Sequence, residues 1–236
     1  MLDSGFVERR LRAAGVSVRT GSVRLFTFVP AEGASLDDLT FTPGQVAVLS
    51  VPGLGDAYFA IASPPNRRGA LEFLVKRGGA VGDRLFEQGA GAEVELKNVV
   101  GRGFPLDTFE GKDLIFVAAG TAIAPVRAAI DHAVARREAF GRVVLVHGVR
   151  HPADFAVDDE IDQWRQSNVD VLLTVSRPAE ADWSGAVGRV QALLEPVVRD
   201  TLDPVVFVCG SEEMMRQTTE HLEGIGVPAG RILRNY

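Results

Sequence analysis

Residues Asp113 to Pro125 read DLIFVAAGTAIAP, and they restrict the possible folds more than any other stretch of the chain. Leu114 to Val117 is a continuous apolar run. That is the pattern of a strand buried on both faces, as in a parallel sheet covered by helices. The run breaks at Gly120, and after Pro125 comes VRAAIDHAVARR, where Ala and apolar residues recur at helical spacing. Proline is tolerated at an early helical position, where the missing N–H has no intrahelical partner. Strand, small-residue turn and helix together make a phosphate-binding arrangement. The turn lets backbone approach the ligand, and the helix N-terminus offers free N–H groups and a positive dipole end. Gly120-Thr121-Ala122 stands where a dinucleotide fingerprint has G-x-G, so the turn alone marks an α/β unit and no particular ligand.

A second apolar run, Val205 to Val208, ends in Cys209-Gly210-Ser211 and leads into EEMMRQTTEHLEGIG. Strand patterns near 114–117, 143–147, 170–175 and 205–208 alternate with helical ones near 125–139, 157–167, 189–200 and 211–224. This alternation predicts a parallel sheet with helices on its faces. Ligands of such sheets sit at the carboxyl ends of the strands, where Gly120, His147-Gly148, Ser176 and Cys209-Gly210 all fall. The first half has another rhythm. Val16 to Val29 alternates apolar and polar residues, and short runs recur at Val46 to Val51, Tyr58 to Ala62, Leu71 to Val75 and Glu93 to Val99, separated by Pro- and Gly-containing turns. Many short strands at this spacing predict an antiparallel barrel or sandwich, with one short helix at Gly82 to Gln88. The expected organisation is two domains: an antiparallel β-barrel over residues 1–107 and a nucleotide-binding α/β domain with a parallel sheet over 108–236.

Composition narrows the function. Of the 236 residues 46% are hydrophobic and 24% charged, ordinary for a globular protein with a substantial core. A net charge of −6 argues against a dedicated nucleic-acid binder. One cysteine excludes an intrachain disulfide and a four-cysteine iron–sulfur cluster. No apolar stretch approaches the roughly 20 residues of a membrane helix, and the N-terminus lacks the apolar segment of a secretory signal. A cytoplasmic protein is expected. The four histidines show no metal-ligand spacing, so no metal is expected.

The turns GTAIAP and CGS, with FTPGQ at Phe41 to Gln45, AIASPP at Ala60 to Pro65, EFLVKRGG at Glu72 to Gly79 and HGVR at His147 to Arg150, resemble the ferredoxin–NADP reductase superfamily over most of the chain. There a G-T-G-x-x-P turn and a later C-G-P turn line one nicotinamide site. The AIASPP and FLVK strings and the Ile232 to Tyr236 tail are most similar to the plant "fruit protein" subgroup. The resemblance implies FAD on the barrel and NAD(P)H on the α/β domain, with hydride passing between them and electrons going onward to an unidentified acceptor, such as a redox protein. It puts flavin contacts at Phe59, Ala60, Ile61, Ala62, Ser63, Val75, Lys76, Gly79, Val81 and Gly82. It puts nicotinamide-nucleotide contacts at Gly120, Thr121, Ala122, Pro125, His147, Gly148, Arg150, Ser176, Arg177, Gly210 and Ser211.

Two departures from the family pattern bear on flavin binding. An R-x-Y-S string, whose arginine grips the flavin pyrophosphate and whose tyrosine lies on the isoalloxazine, is replaced by Ala57-Tyr58-Phe59-Ala60. A charge-assisted hydrogen bond contributes about 1.5–3 kcal/mol, so its loss implies roughly ten- to hundredfold weaker binding unless Lys76, Arg77, Arg67 or Arg68 substitutes. In the glycine-rich turn Gly78 to Gly82, Gly82 replaces a hydroxyl residue. Further implied roles are Cys209 beside the reacting nicotinamide carbon, without a paired histidine to make it a nucleophile, and Tyr236 as a ring over the flavin. His147 is expected to be packed or to orient its loop, and Ser176-Arg177 to meet a 2′-phosphate. Two rival readings share the fold: an electron-transfer subunit that works with an iron–sulfur partner, and a degenerate nucleotide-binding protein without catalysis.

Overall fold

The computed structural model describes residues 8–178 and 183–235. Its first half is a six-stranded antiparallel sheet made of β1 (Arg9–Thr20), β2 (Val23–Pro30), β3 (Val46–Val51), β4 (Gly55–Ala60), β5 (Leu71–Lys76) and β6 (Glu93–Val100), with helix α1 (Ala80–Gln88) between β5 and β6. The strand order is β4-β3-β6-β1-β2-β5. The sheet curls until its edges meet, and the Ala62 N–H just beyond β4 donates to the Glu72 carbonyl in β5 at 2.7 Å, so the barrel expected from the strand spacing is present. The alternating stretch Val16 to Val29 is not one strand. It is divided by a turn at Gly21-Ser22 into the paired β1 and β2, and β1 begins earlier, at Arg9. Inward-facing Phe26, Phe28 and Phe73 fill the barrel.

The second half contains β7 (Asp113–Ala119), α2 (Ile123–Ala135), β8 (Val143–Val149), α3 (Asp158–Gln166), β9 (Val169–Val175), β10 (Ala186–Val187), α4 (Leu194–Arg199), β11 (Pro204–Cys209), α5 (Glu212–Gly224) and β12 (Ile232–Arg234). Its strands form a parallel sheet in the order β10-β9-β8-β7-β11-β12. The apolar run in β7 is buried on both faces, as its composition requires. Leu114, Phe116 and Ala118 pack with α2 and α3, while Ile115 and Val117 pack with α4 and α5. The strands β10 and β12 are too short to show a sequence period. The helical stretch near 189–200 is a 3-10 turn (Val190–Leu193) before α4, and that near 125–139 is α2 followed by a 3-10 turn (Arg137–Ala139). Among the described residues no helix is long and apolar enough to cross a membrane.

The halves share a core. Val23 and Leu25 of β2, Leu74 of β5 and Ala62 belong to the same apolar cluster as Phe116, Ile123, Val126 and Phe207. A charged network crosses the same boundary. Arg127 of α2 donates to Glu72 at 2.7 Å and to the Ala62 carbonyl at 2.8 Å, and to Glu160 of α3 at 2.9 Å. The orientation of the two sheets is therefore fixed by packing and by buried charge.

Candidate active site

From β7 the chain runs to β8 and β9 on one side, then crosses back to β11 on the other. The carboxyl ends of β7 and β11 therefore flank a topological switch point, the usual position of a ligand crevice in an open α/β sheet. Ala118 pairs with Cys209 there, which brings the two turns that the sequence singled out side by side. A cleft of about 1210 Å³ opens at this point, more than the roughly 300–1,000 Å³ of a single small-molecule pocket. Gly120, Thr121, Ala122, Pro125, Gly148, Arg150, Ser176, Arg177, Cys209, Gly210 and Ser211 line it. Tyr58, Ala60 and Lys76 reach it from the barrel.

The barrel side departs from the expected residues, for a reason of strand geometry. Successive side chains of a strand point to opposite faces. In β4, Ala57 and Phe59 turn inward, with the Phe59 ring 6.5 Å from that of Phe73. Tyr58 is 70% exposed and, with Ala60, faces the cleft. The aromatic ring turned to the cleft is thus Tyr58, while Phe59 is half-buried against the barrel core. The side chains of Ile61, Ala62, Val75 and Val81 are also buried in the cores. Ser63 is fully buried, its Oγ accepting the Glu72 N–H at 3.0 Å. These five offer a ligand no side chain.

Of the four basic residues expected to replace the missing arginine, Lys76 lines the cleft. Arg67 is tied to Glu72 at 2.8 Å, Arg77 lies over the Phe86 ring, and Arg68 is exposed outside the cleft. Gly79 caps α1 without a side-chain hydrogen bond, so the first N–H groups of that helix lack a capping side chain. Gly82 lies inside α1, where an added Cβ would come 3.0 Å from the Lys76 carbonyl. The close passage of β5 explains why no hydroxyl residue stands there.

His147 is fully buried and lies behind the cleft wall. Its Nε2–H donates to the Gly120 carbonyl at 3.1 Å, and its ring packs edge-on against Phe155. Burial lowers its pKa to about 4, against the opposing pull of the Gly120 carbonyl, so it is neutral at pH 7 and braces the Gly120 turn. The unfolded chain takes up a proton near pH 6.5, whereas the folded one does so only near 4. Stability is therefore present above 6.5 and lost as pH falls towards 4. We expect His147→Gln to remove roughly 2–3 kcal/mol of the stability difference between pH 7 and pH 4.5, as measured by urea unfolding at both values. Equal acid loss in parent and variant would contradict this placement of the ring.

Cys209 is 5% exposed, and burial pushes its thiol up to about 12, against the lowering effect of the Gly210 backbone. It is a protonated thiol and not a nucleophile. Ser211 caps α5 by accepting the Met214 N–H at 3.3 Å. Ser176 Oγ donates to the Val149 carbonyl at 3.4 Å. Tyr236 lies outside the described residues. Sequence reasoning missed Arg189, Gln191 and Asn235, all in the cleft wall. For Tyr58 a signal existed, the alternation within β4; for Asn235 there was none, since its position depends on how the two halves meet.

Comparison with known proteins agrees with this geometry. Residues 116–220 match the family described as oxidoreductase NAD-binding domain. A ferredoxin NADP+ reductase from Neisseria gonorrhoeae, solved with bound FAD and NADP, superposes with a TM-score of 0.77 at 23% identity over 98% of each chain. The chain has the ferredoxin reductase fold. Among curated sequences, sulfhydrogenase 1 subunit gamma of Pyrococcus furiosus is 28% identical over 95% of this chain and 77% of its own length. From the same organism, a probable dihydroorotate dehydrogenase B electron transfer subunit is 26% identical over 84% of this chain and 72% of its own. In ferredoxin reductase terms, the cleft lies between the barrel half and the parallel sheet.

Proposed function

We propose that this protein is an NAD(P)H-dependent flavin oxidoreductase of the ferredoxin reductase type, which passes electrons to a separate acceptor. The observation that carries the reading is one cleft at the β7–β11 switch point, walled on one side by the Gly120 and Cys209 turns and on the other by Tyr58 and Lys76 of the barrel. These residues fit FAD: an exposed aromatic ring for the isoalloxazine, with a lysine and the uncapped start of α1 at Gly79 for the pyrophosphate. Gly120 to Ala122 and Pro125 would hold the nicotinamide nucleotide, and Arg150 and Arg177 its phosphates. Bound there, the flavin would supply the means of accepting hydride and releasing electrons one at a time. The protein's part is alignment, with no general base required.

The relatives named as a subunit of sulfhydrogenase and as an electron transfer subunit favour an acceptor carried by another redox protein, in which case this chain is one member of an assembly. The AIASPP and FLVK strings support a narrower kinship with the plant "fruit protein" group. We place the domain boundary at 107/108, and the protein in the cytoplasm because its single cysteine is unlike the disulfide frameworks of secreted chains.

Titrating the apoprotein with FAD tests the cofactor. We expect binding that is partly lost on dialysis and weakened about tenfold by Lys76→Ala, the equivalent of one charge-assisted hydrogen bond. No binding at high micromolar FAD would overturn the reading in favour of a degenerate nucleotide-binding protein.

A further inference from the structure

After β12 the chain crosses from the parallel sheet to the barrel, and Asn235 makes the crossing. It is 2% exposed and lies in the wall of the cleft beside Cys209. Its backbone carbonyl accepts the N–H groups of Arg102 and Gly103 at 3.2 and 3.1 Å. Its side-chain Nδ2 donates to the Gly44 carbonyl at 3.1 Å, and its Oδ1 accepts from the Cys209 thiol at 3.6 Å, an ordinary separation for a sulfur donor. Gly103 has φ +66°, and a Cβ there would sit 2.7 Å from the Pro43 carbonyl. At Gly101, φ +88°, a Cβ would press to 3.1 Å on the Asn235 carbonyl itself. Gly101 thus leaves room for the Asn235 carbonyl, and Gly103 for the Pro43 carbonyl of the barrel loop.

We propose that Asn235 is a positioning residue for electron transfer, holding the Cys209 thiol in one orientation and pinning the end of β11 to the barrel. The proposal rests on the flavin and nicotinamide reading given above. The thiol hydrogen is directed at Oδ1, which leaves the sulfur lone pairs to the cleft. The carboxyl end of β11, where the nicotinamide ring would lie, is tied through the same side chain to the Gly44 loop of the barrel. Neither sheet can slide at this point without breaking an Asn235 contact. Misplacement of reacting groups by about 1 Å can slow a reaction as much as a hundredfold, so a pin between the two cofactor-bearing halves acts on rate more than on affinity.

The test is rapid-mixing reduction of the FAD-loaded protein by NADH and NADPH, comparing the parent with Asn235→Ala, Cys209→Ala and the double variant. Asn235→Ala keeps the backbone bonds to Arg102 and Gly103 and removes only the side-chain links. We expect its limiting reduction rate to fall about tenfold, with unchanged FAD content and little change in nucleotide affinity. The double variant should be slower than Cys209→Ala, but by less than the factor that Asn235→Ala costs alone, because only the link to Gly44 is left to lose. If Asn235→Ala does not fold, Asn235→Ser makes the same comparison, its side chain being too short to span Sγ and Gly44. Reduction of a folded Asn235 variant at the parental rate would overturn the proposal alone, as would additive losses in the double variant. A parent that holds FAD but is reduced by neither nucleotide would overturn the functional reading, and the proposal with it.

Discussion

Replacing Arg127 by methionine should cost the fold about 3–5 kcal/mol, the range for removing one partner from a buried ion pair. Arg127 is 7% exposed and sits between Glu72 of β5 and Glu160 of α3, each also paired to a second arginine, Arg67 and Arg19 respectively. Without it the Glu72 carboxylate, 6% exposed at its side chain, keeps the partly exposed Arg67 as its one cation and the Thr27 hydroxyl, which donates at 3.3 Å. Burial raises Glu160 to about 7, with a further rise from Asp159 and against the hold of Arg127 and Arg19, so near neutrality part of its charge is already quenched. Glu72 should therefore account for most of the cost. For a chain of this size the loss corresponds to a fall in Tm of roughly 6–20 °C. Combining Arg127→Met with Glu72→Gln and Glu160→Gln removes the two carboxylates that Arg127 pairs and should recover part of it, while Asp131, whose charge Arg127 also favours, still lacks its cation. Thermal unfolding of the two variants checks this. A Tm within 2 °C of the parent for Arg127→Met, about what a solvent-exposed pair contributes, would show that the network does not join the halves.

Ala122→Leu should have the largest effect on nucleotide binding. Ala122 is half-buried, directly precedes α2 and lines the cleft at the turn expected to carry the pyrophosphate. A leucine there adds three carbons where backbone has to meet phosphate. We expect the apparent affinity for NAD(P)H to fall at least tenfold, about 1.4 kcal/mol, while the absorption spectrum of bound FAD and the Tm stay near parental values. Flavin reduction at limiting nucleotide, as fast in Ala122→Leu as in the parent, would show that the nucleotide does not use this turn.

The α/β half was legible because both of its signals are local. A strand buried on two faces reads as an unbroken apolar run, and the turn after it as small residues; Leu114 to Val117 and Val205 to Val208 show both. The barrel was legible as a class but not in register. In β4 the family string points to Phe59 as the ligand-facing ring, yet the pleat sends Tyr58 to the cleft, and a one-residue slip of this kind exchanges the two faces of a strand. Buried charge was illegible. Nothing local in the sequence distinguishes Arg127 from the half-buried Arg136 and Arg137 that follow it, because its burial depends on α2 meeting β5 of the other half. Asn235 was missed for the same reason, its partners Gly44, Arg102 and Gly103 being far away in the chain.

Anaerobic mixing of FAD-loaded protein with reduced nicotinamide nucleotide tests the central claim most directly. The cleft between the sheets predicts that NADH or NADPH bleaches the visible flavin absorption, with a rate that saturates as nucleotide rises. A flavin that stays oxidised under a large excess of both nucleotides would contradict it.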